Sequence, residues 1–328
     1  MPKLMNTRSP AAQASSPYDD VLKKRKRARR AAEFKNIFPM FLMMLPGIIY
    51  LVCNNYLPMF GILIAFKKVN FSIGIFKSPW VWFDNFRFLF ETKDAWIMIR
   101  NTLAYNAVWI LMGMAIAIFV ALCMAEISNR RIAKVIQPVI CFPSMVSAVI
   151  LSFIVYAFLS TTYGFINRSF FKDSPINWYA SAQYWPFILT IVHFWQSTGQ
   201  SSIIYMASIG GIDKGLYEAA RIDGASKFKQ IIHITLPMLR PMMTLMLLLS
   251  VGRIFNSDFG LFYQVPLGSG LLYNTTQTID TYVYRALLEL NNVGMSSAAS
   301  VFQAVIGFVL VILSNAFVRM IDKDSALF

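Results

Sequence analysis

The chain has 328 residues, 57% of them hydrophobic and only 14% charged, and its mean hydropathy is +0.54. That composition excludes a soluble globular domain and puts the protein in the membrane class before any motif is read. The formal net charge of +14 would suit a nucleic-acid binder, but the charges are distributed around apolar spans instead.

In chain order, residues 1–36 read as a largely disordered cytoplasmic tail, and 37–328 as one transmembrane domain. The run KKRKRARR, Lys23 to Arg30, reads as a topology anchor near anionic lipid rather than a nucleic-acid patch. Six apolar stretches are long enough to cross a hydrocarbon core of ~30 Å, near 37–66, 96–126, 132–159, 184–209, 237–263 and 295–320. Pro58 and Gly61 mark a bend or exit in the first. Residues 67–95, 160–183 and about 264–294 are then outside connections. The first is rich in aromatics such as Trp80, Trp82 and Phe83, which suit the headgroup belt better than a sugar-stacking platform. With the N-terminus inside, twenty of the thirty lysines and arginines lie on the inner side. Ten precede the first span, three are Arg130, Arg131 and Lys134, five are Lys214, Arg221, Lys227, Lys229 and Arg240, and Arg319 and Lys323 close the chain. This asymmetry predicts an all-α integral membrane fold of six helices, N-in and C-in.

Cys53, Cys123 and Cys141 fall inside apolar spans without CxxC spacing, so they are expected to be buried free thiols. With only two distant histidines, His193 and His233, no metal site is expected. No GxxxxGK[ST] occurs, so the chain holds no P-loop of its own, and no catalytic constellation is visible. It is not expected to be an enzyme or to bind a cofactor.

Between spans four and five lies a polar, helix-forming insert, about 210–241. Good helix formers run from Leu216 to Arg221, break at Gly224, resume after Ser226 as N-cap, and stop at Leu236-Pro237. Two short helices joined by a glycine turn are therefore predicted. On the first, Ile212, Leu216, Ala219 and Ala220 share a face, with Lys214, Glu218 and Arg221 on another. On the second, Phe228, Ile231 and Ile232 are apolar, with Lys229, Gln230 and His233 away from them. Such a pair suits docking of a soluble partner.

Glu218-Ala219-Ala220, Asp223-Gly224-Ala225, Ile234, Leu236-Pro237 and Pro241 resemble the EAA loop of ABC-importer permeases. Asp84-Asn85-Phe86 with Leu89-Phe90, and Arg100 to Leu103, are similar to segments leading into the second helix of sugar-type permeases, and the likeness covers most of 36–328. The resemblance implies a multi-pass permease subunit in the bacterial cytoplasmic membrane, moving an oligosaccharide inward. It also implies a second permease subunit forming a heterodimer, and two subunits that bind ATP and Mg and dock on the coupling loop. An extracytoplasmic solute-binding protein would meet the outside loops. Membrane lipid surrounds the chain, and no nucleic acid is involved. A permease for an amino acid or peptide is the nearest alternative. A secondary transporter is the alternative from another class, and would show inverted repeats and broken helices, neither of which is visible.

Polar side chains within spans point to the bundle interior by default. The fifth span carries Arg253, Asn256, Ser257, Asp258 and Tyr263. If helical from Pro241, it puts Arg253 about 18 Å and Asp258 about 26 Å in. The fourth carries Trp195, Gln196 and Gln200, whose glutamines alternatively bond a neighbouring helix. These seven, Trp195, Gln196, Gln200, Arg253, Asn256, Asp258 and Tyr263, are the candidate substrate path. Arg253, costly near the midplane without an anion, predicts acidic sugars such as uronates. Gly113, Ala115 and Ala117 read as helix-packing positions.

Overall fold

In the computed structural model, residues 37–127, 129–289 and 291–321 are described, so the basic tail and Lys323 lie outside them. Two compact units divide the chain, Met1–Gly61 and Ile62–Phe328. Every named element among the described residues is a helix, with one isolated β-bridge pairing Lys67 with Trp80.

Helix α1, Ile37–Phe66, is apolar and its most hydrophobic stretch is exposed. It does not end at Pro58. The five residues before the Leu57-Pro58 turn, Val52–Tyr56, widen into a π-turn, and the last turn tightens to 3-10 at Phe60–Phe66. A proline offers no N–H and crowds the carbonyl one turn back, and a wider turn relieves that crowding. The same device recurs at Pro237. Helix α7, Lys227–Val251, passes through a π-turn at Ile231–Thr235. The expected stop at Leu236-Pro237 is thus absent, and the second helix of the polar insert is the first part of the fifth span.

Between these, α2 (Lys93–Ala125), capped by Thr92 on Ala95 N–H, packs along α5 (Trp185–Gly210). Gly113 gives room to Phe194 of α5, and Ala117 and Ala121 are fully buried. Trp185, Leu189, Trp109 and Leu151 form one apolar cluster with Leu261 and Phe262, and Leu239 and Tyr205 form another nearer the polar insert. The expected third span is broken: α3 (Arg130–Cys141) and α4 (Ala148–Leu159) are bent by 94° across a 3-10 turn, Phe142–Met145. Pro143 starts that turn, Val146 is extended, and Ser147 caps the new helix through Ile150 N–H. At Gly199, α5 crosses α3 so closely that any Cβ would strike the Ile140 carbonyl.

Three further helices are α6 (Lys214–Ile222), α8 (Ile279–Leu288) and α9 (Val293–Ile321), beside short helical turns in the connections. By length and apolarity α1, α2, α7 and α9 suffice to cross a membrane, and the bent α3–α4 pair could make a fifth. Helix α5 is long enough but more polar. The fifth span does not run helically to 263: α7 ends at Val251, and the chain unwinds before a π-turn at Gly260–Gln264. Broken helices are therefore present, and their expected absence is no ground against a secondary transporter. Nor are the thiols buried: Cys53 and Cys123 are exposed and Cys141 half-buried, because the outer surface of these helices is itself apolar.

Candidate functional site

The break after Val251 begins at Gly252, whose lack of a Cβ lets Val311 of α9 approach; Gly307 of α9 packs against the Gly252 carbonyl. Asn256, Ser257 and Asp258 follow, residues whose short polar side chains compete with the helical ladder. Four of the freed backbone groups find partners on other helices. Asn106 of α2 donates through Nδ2 to the carbonyls of Ile254 (2.7 Å) and Asn256 (2.8 Å). Gln303 of α9, buried, donates to Phe255 O at 2.7 Å. Asp280 Oδ2 accepts the Ser257 N–H at 2.6 Å, and the Ser257 hydroxyl lies 2.8 Å from it and 2.7 Å from Thr278 Oγ1. Asp258 restarts the chain by accepting the Leu261 N–H at 3.0 Å. Non-helical backbone at membrane depth is tolerated only with such partners, or beside water.

Both conditions hold, since the break walls a cavity of about 350 Å³. Arg253, Asn256 and Ser257 line one side, and His193, Ser197 and Ser201 of α5 line another. Trp109 of α2 forms a flat wall, stacked on the His193 ring at 3.8 Å and 9°, with its indole N–H on Thr190 Oγ1 at 3.0 Å. The Arg253 guanidinium has no partner among the described residues. The cavity thus offers a cation without a partner among the described residues and a serine row, backed by the buried Trp109–His193 stack and by apolar Ile110, Met114, Met246 and Leu247.

Of the seven path candidates, Arg253 and Asn256 stand in this wall. Gln196 instead donates to Val146 O at 3.2 Å, holding the α3–α4 bend. Trp195 and Gln200 are exposed away from the cavity, and Asp258 serves as a cap. Tyr263 stacks on Phe259 at 5.1 Å and meets Tyr284 at 4.9 Å, beyond the cavity. On α5 the cavity-facing row is His193, Ser197 and Ser201, spaced by four. The 196/200 row lies three residues on from 193 and 197, turned to one side by the 3.6-residue helical repeat. That i, i+4, i+8 polar row was a usable signal in the sequence. Asn106, Gln303 and Asp280 carried none, because their partners are backbone carbonyls and N–H groups far away in the chain.

At the other end of α2 and α5 lies the polar insert. Asp213 caps α6 through Gly215 N–H at 2.9 Å. Gly224 takes φ +75° and closes the helix, with Ala225 N–H on Ala220 O (2.8 Å) and Gly224 N–H on Arg221 O (3.1 Å). Ser226 caps the next helix as expected, through Lys229 N–H, and Gln230 Nε2 donates to Ala225 O at 2.9 Å. Tyr217 and Thr235 hydroxyls, 2.9 Å apart, tie α6 to α7, and Lys227 meets Glu126 at the end of α2 at 2.7 Å. Both members of that pair are about half exposed, so it contributes ~1 kcal/mol at most. Ile222 is 87% and Phe228 71% exposed, with Leu216 and Ile232 also open. Glu218, Lys214 and Arg221 face a recess of about 590 Å³ shared with Glu126 and Lys227. Ala219 and Asp223 are exposed on the same helix end; Leu236 and Pro237 are half-buried in α7.

The family model described as binding-protein-dependent transport system inner membrane component matches residues 113–326, well over half the chain. The chain belongs to this family. It is an inner-membrane protein of the permease class. Over 95% of its length it is 32% identical to the polygalacturonan/rhamnogalacturonan transport system permease protein YteP of Bacillus subtilis, of which it covers 98%. It is 30% identical to protein LplB of the same organism, over 87% of this chain and 90% of that one. Its fold matches a chain of a bacterial ABC transporter involved in import of the acidic polysaccharide alginate. That match has a TM-score of 0.80 and 30% identity, and covers 89% of this chain and 99% of the other. A second alginate transporter structure, in complex with a periplasmic protein bound to alginate pentasaccharide, gives 0.78 at 29% identity, over 88% and 97%.

Proposed function

We propose that this chain is a permease subunit of an ABC importer for an acidic oligosaccharide. The observation that carries the substrate class is the Arg253 guanidinium, without a partner among the described residues, in a cavity whose polar lining is hydroxyls and the Asn106 and Asn256 amides, beside Trp109 and His193 and the apolar Ile110, Met114, Met246 and Leu247. A planar guanidinium binds a carboxylate through two parallel hydrogen bonds, while serine and asparagine groups satisfy ring hydroxyls. The printed names of the relatives, which concern polygalacturonan, rhamnogalacturonan and alginate, support the same class. They also weigh against an amino acid or peptide as cargo.

In this reading the chain crosses the membrane six times, N-in and C-in, with α3 and α4 as one broken span and α5 as a polar, cavity-lining span. The exposed apolar ridge of Ile222 and Phe228, beside Glu218 and Arg221, receives an ATP-hydrolysing subunit, and a second permease subunit completes the path. A periplasmic binding protein delivers the sugar. ATP and Mg are held by the partners, and this chain transmits their closure through α6 and α7 to the break at 252–258.

The test is Arg253→Gln in the reconstituted transporter, comparing uptake of an oligogalacturonate with that of a neutral oligosaccharide of equal length. Losing a charge-assisted contact worth about 1.5–3 kcal/mol lowers acidic uptake by roughly ten- to a hundredfold, with neutral uptake changed far less. Equal loss of both, in an assembled complex, refutes charge recognition.

A further inference from the structure

At the end of α2 away from the polar insert, Arg100, Ala104, Val108 and Met112 form a single i+4 row. They line a groove of about 490 Å³ whose other wall is Phe187 and Ile191 of α5. Val108, Met112, Phe187 and Ile191 are all exposed, so the groove is open along its length. The row spans ~18 Å, close to the depth of one leaflet of a ~30 Å core.

The polar atoms around its head are already engaged. Asn101 Nδ2 donates to Asn274 O (3.1 Å) and Gln277 O (3.0 Å), the Tyr105 hydroxyl to Thr275 O (2.9 Å), and Thr275 Oγ1 to Ala182 O (3.1 Å). Arg100 alone keeps capacity. Its Nε and Nη2 reach Asn101 Oδ1 and Asn274 O, which aims the guanidinium, while Nη1 has no partner and no carboxylate pairs with it among the described residues. Helix α2, 33 residues or ~50 Å, overhangs a 30 Å core by ~10 Å at each end if centred. Arg100 stands seven residues, ~10 Å, from its first residue, at the level of lipid phosphates.

We propose that this groove is a binding site for an anionic phospholipid, its phosphate on Arg100 and one acyl chain laid along Ala104, Val108 and Met112. A partner helix is the poorer occupant, since it would have to carry its own acid to this cation, whereas a phosphate at this depth is supplied by the membrane.

The experiment is native mass spectrometry of the transporter complex as extracted from membranes, delipidated and titrated with phosphatidylglycerol, phosphatidylcholine or chain-free glycerophosphoglycerol. Phosphatidylglycerol binds, and the chain-free headgroup does not. Arg100→Gln weakens phosphatidylglycerol about five- to tenfold and phosphatidylcholine, whose phosphate is offset by its own choline cation, clearly less, while Arg100→Lys restores most of the loss. Val108→Trp, which fills the groove without touching Arg100, removes binding of both lipids. Equal phosphatidylglycerol binding by the parent and Arg100→Gln overturns the proposal. So does loss of the second permease subunit from the Val108→Trp complex, which would make the groove a subunit interface.

Discussion

Gly224 gives the cleanest perturbation of the polar insert. Its φ of +75° closes α6, and a Cβ built there meets no atom within 4 Å. The penalty for a side chain is therefore torsional and not steric, which separates this glycine from Gly199 or Gly252. An L-residue in left-handed backbone costs roughly 1–2 kcal/mol, more for a β-branched residue and less for asparagine. Gly224→Asn is thus expected to retain most activity, Gly224→Ala to disfavour the turn by about fivefold, and Gly224→Val by about thirtyfold or more, since 1.4 kcal/mol is a factor of ten. The assay is substrate-stimulated ATP hydrolysis in the reconstituted complex, with assembly checked by size exclusion. The ranking Asn, Ala, Val is the signature. Equal stimulation in the asparagine and valine variants would show that the turn geometry does not transmit coupling.

Glu218→Lys adds a fourth cation beside Lys214, Arg221 and Lys227 in the recess, and is expected to lower stimulated hydrolysis while leaving the thermal midpoint of the permease unchanged; full stimulation would remove Glu218 from the docking surface. Gln303→Leu leaves the Phe255 carbonyl without its donor, a loss of about 1–3 kcal/mol, which a lowered unfolding midpoint and reduced uptake should register. An unshifted midpoint would show that the break needs no such brace. For topology, with the native cysteines replaced, an impermeant thiol label should reach a cysteine at exposed Asp173 in intact cells and spare one at exposed Lys229. The reverse pattern inverts the orientation.

How much was legible from the chain depends on how local each cause was. Composition and run length determined the membrane class and where most helices lie, because a hydrocarbon core demands long apolar segments whatever their neighbours. Asp213, Gly224 and Ser226 were equally readable, since caps and a left-handed glycine act within a few residues. The bend at 142–147 and the break at 252–258 were not, for the local signals there (Pro143 and Ser147, Gly252 and Asn256 to Asp258) do not by themselves say that a long apolar stretch is interrupted. They exist because Gln196, Asn106, Gln303 and Asp280, between 23 and 150 residues away, satisfy the carbonyls and N–H groups that unwinding releases. The same distance decided which polar rows face the cavity: one helical step separates Ser197 from Gln196, and only the packing of α2, α5 and α7 chooses between them. Sequence alone placed Arg253 in the membrane; tertiary structure put it on an unwound segment, facing a cavity and in no ion pair among the described residues, because the backbone around it was held open from three other helices.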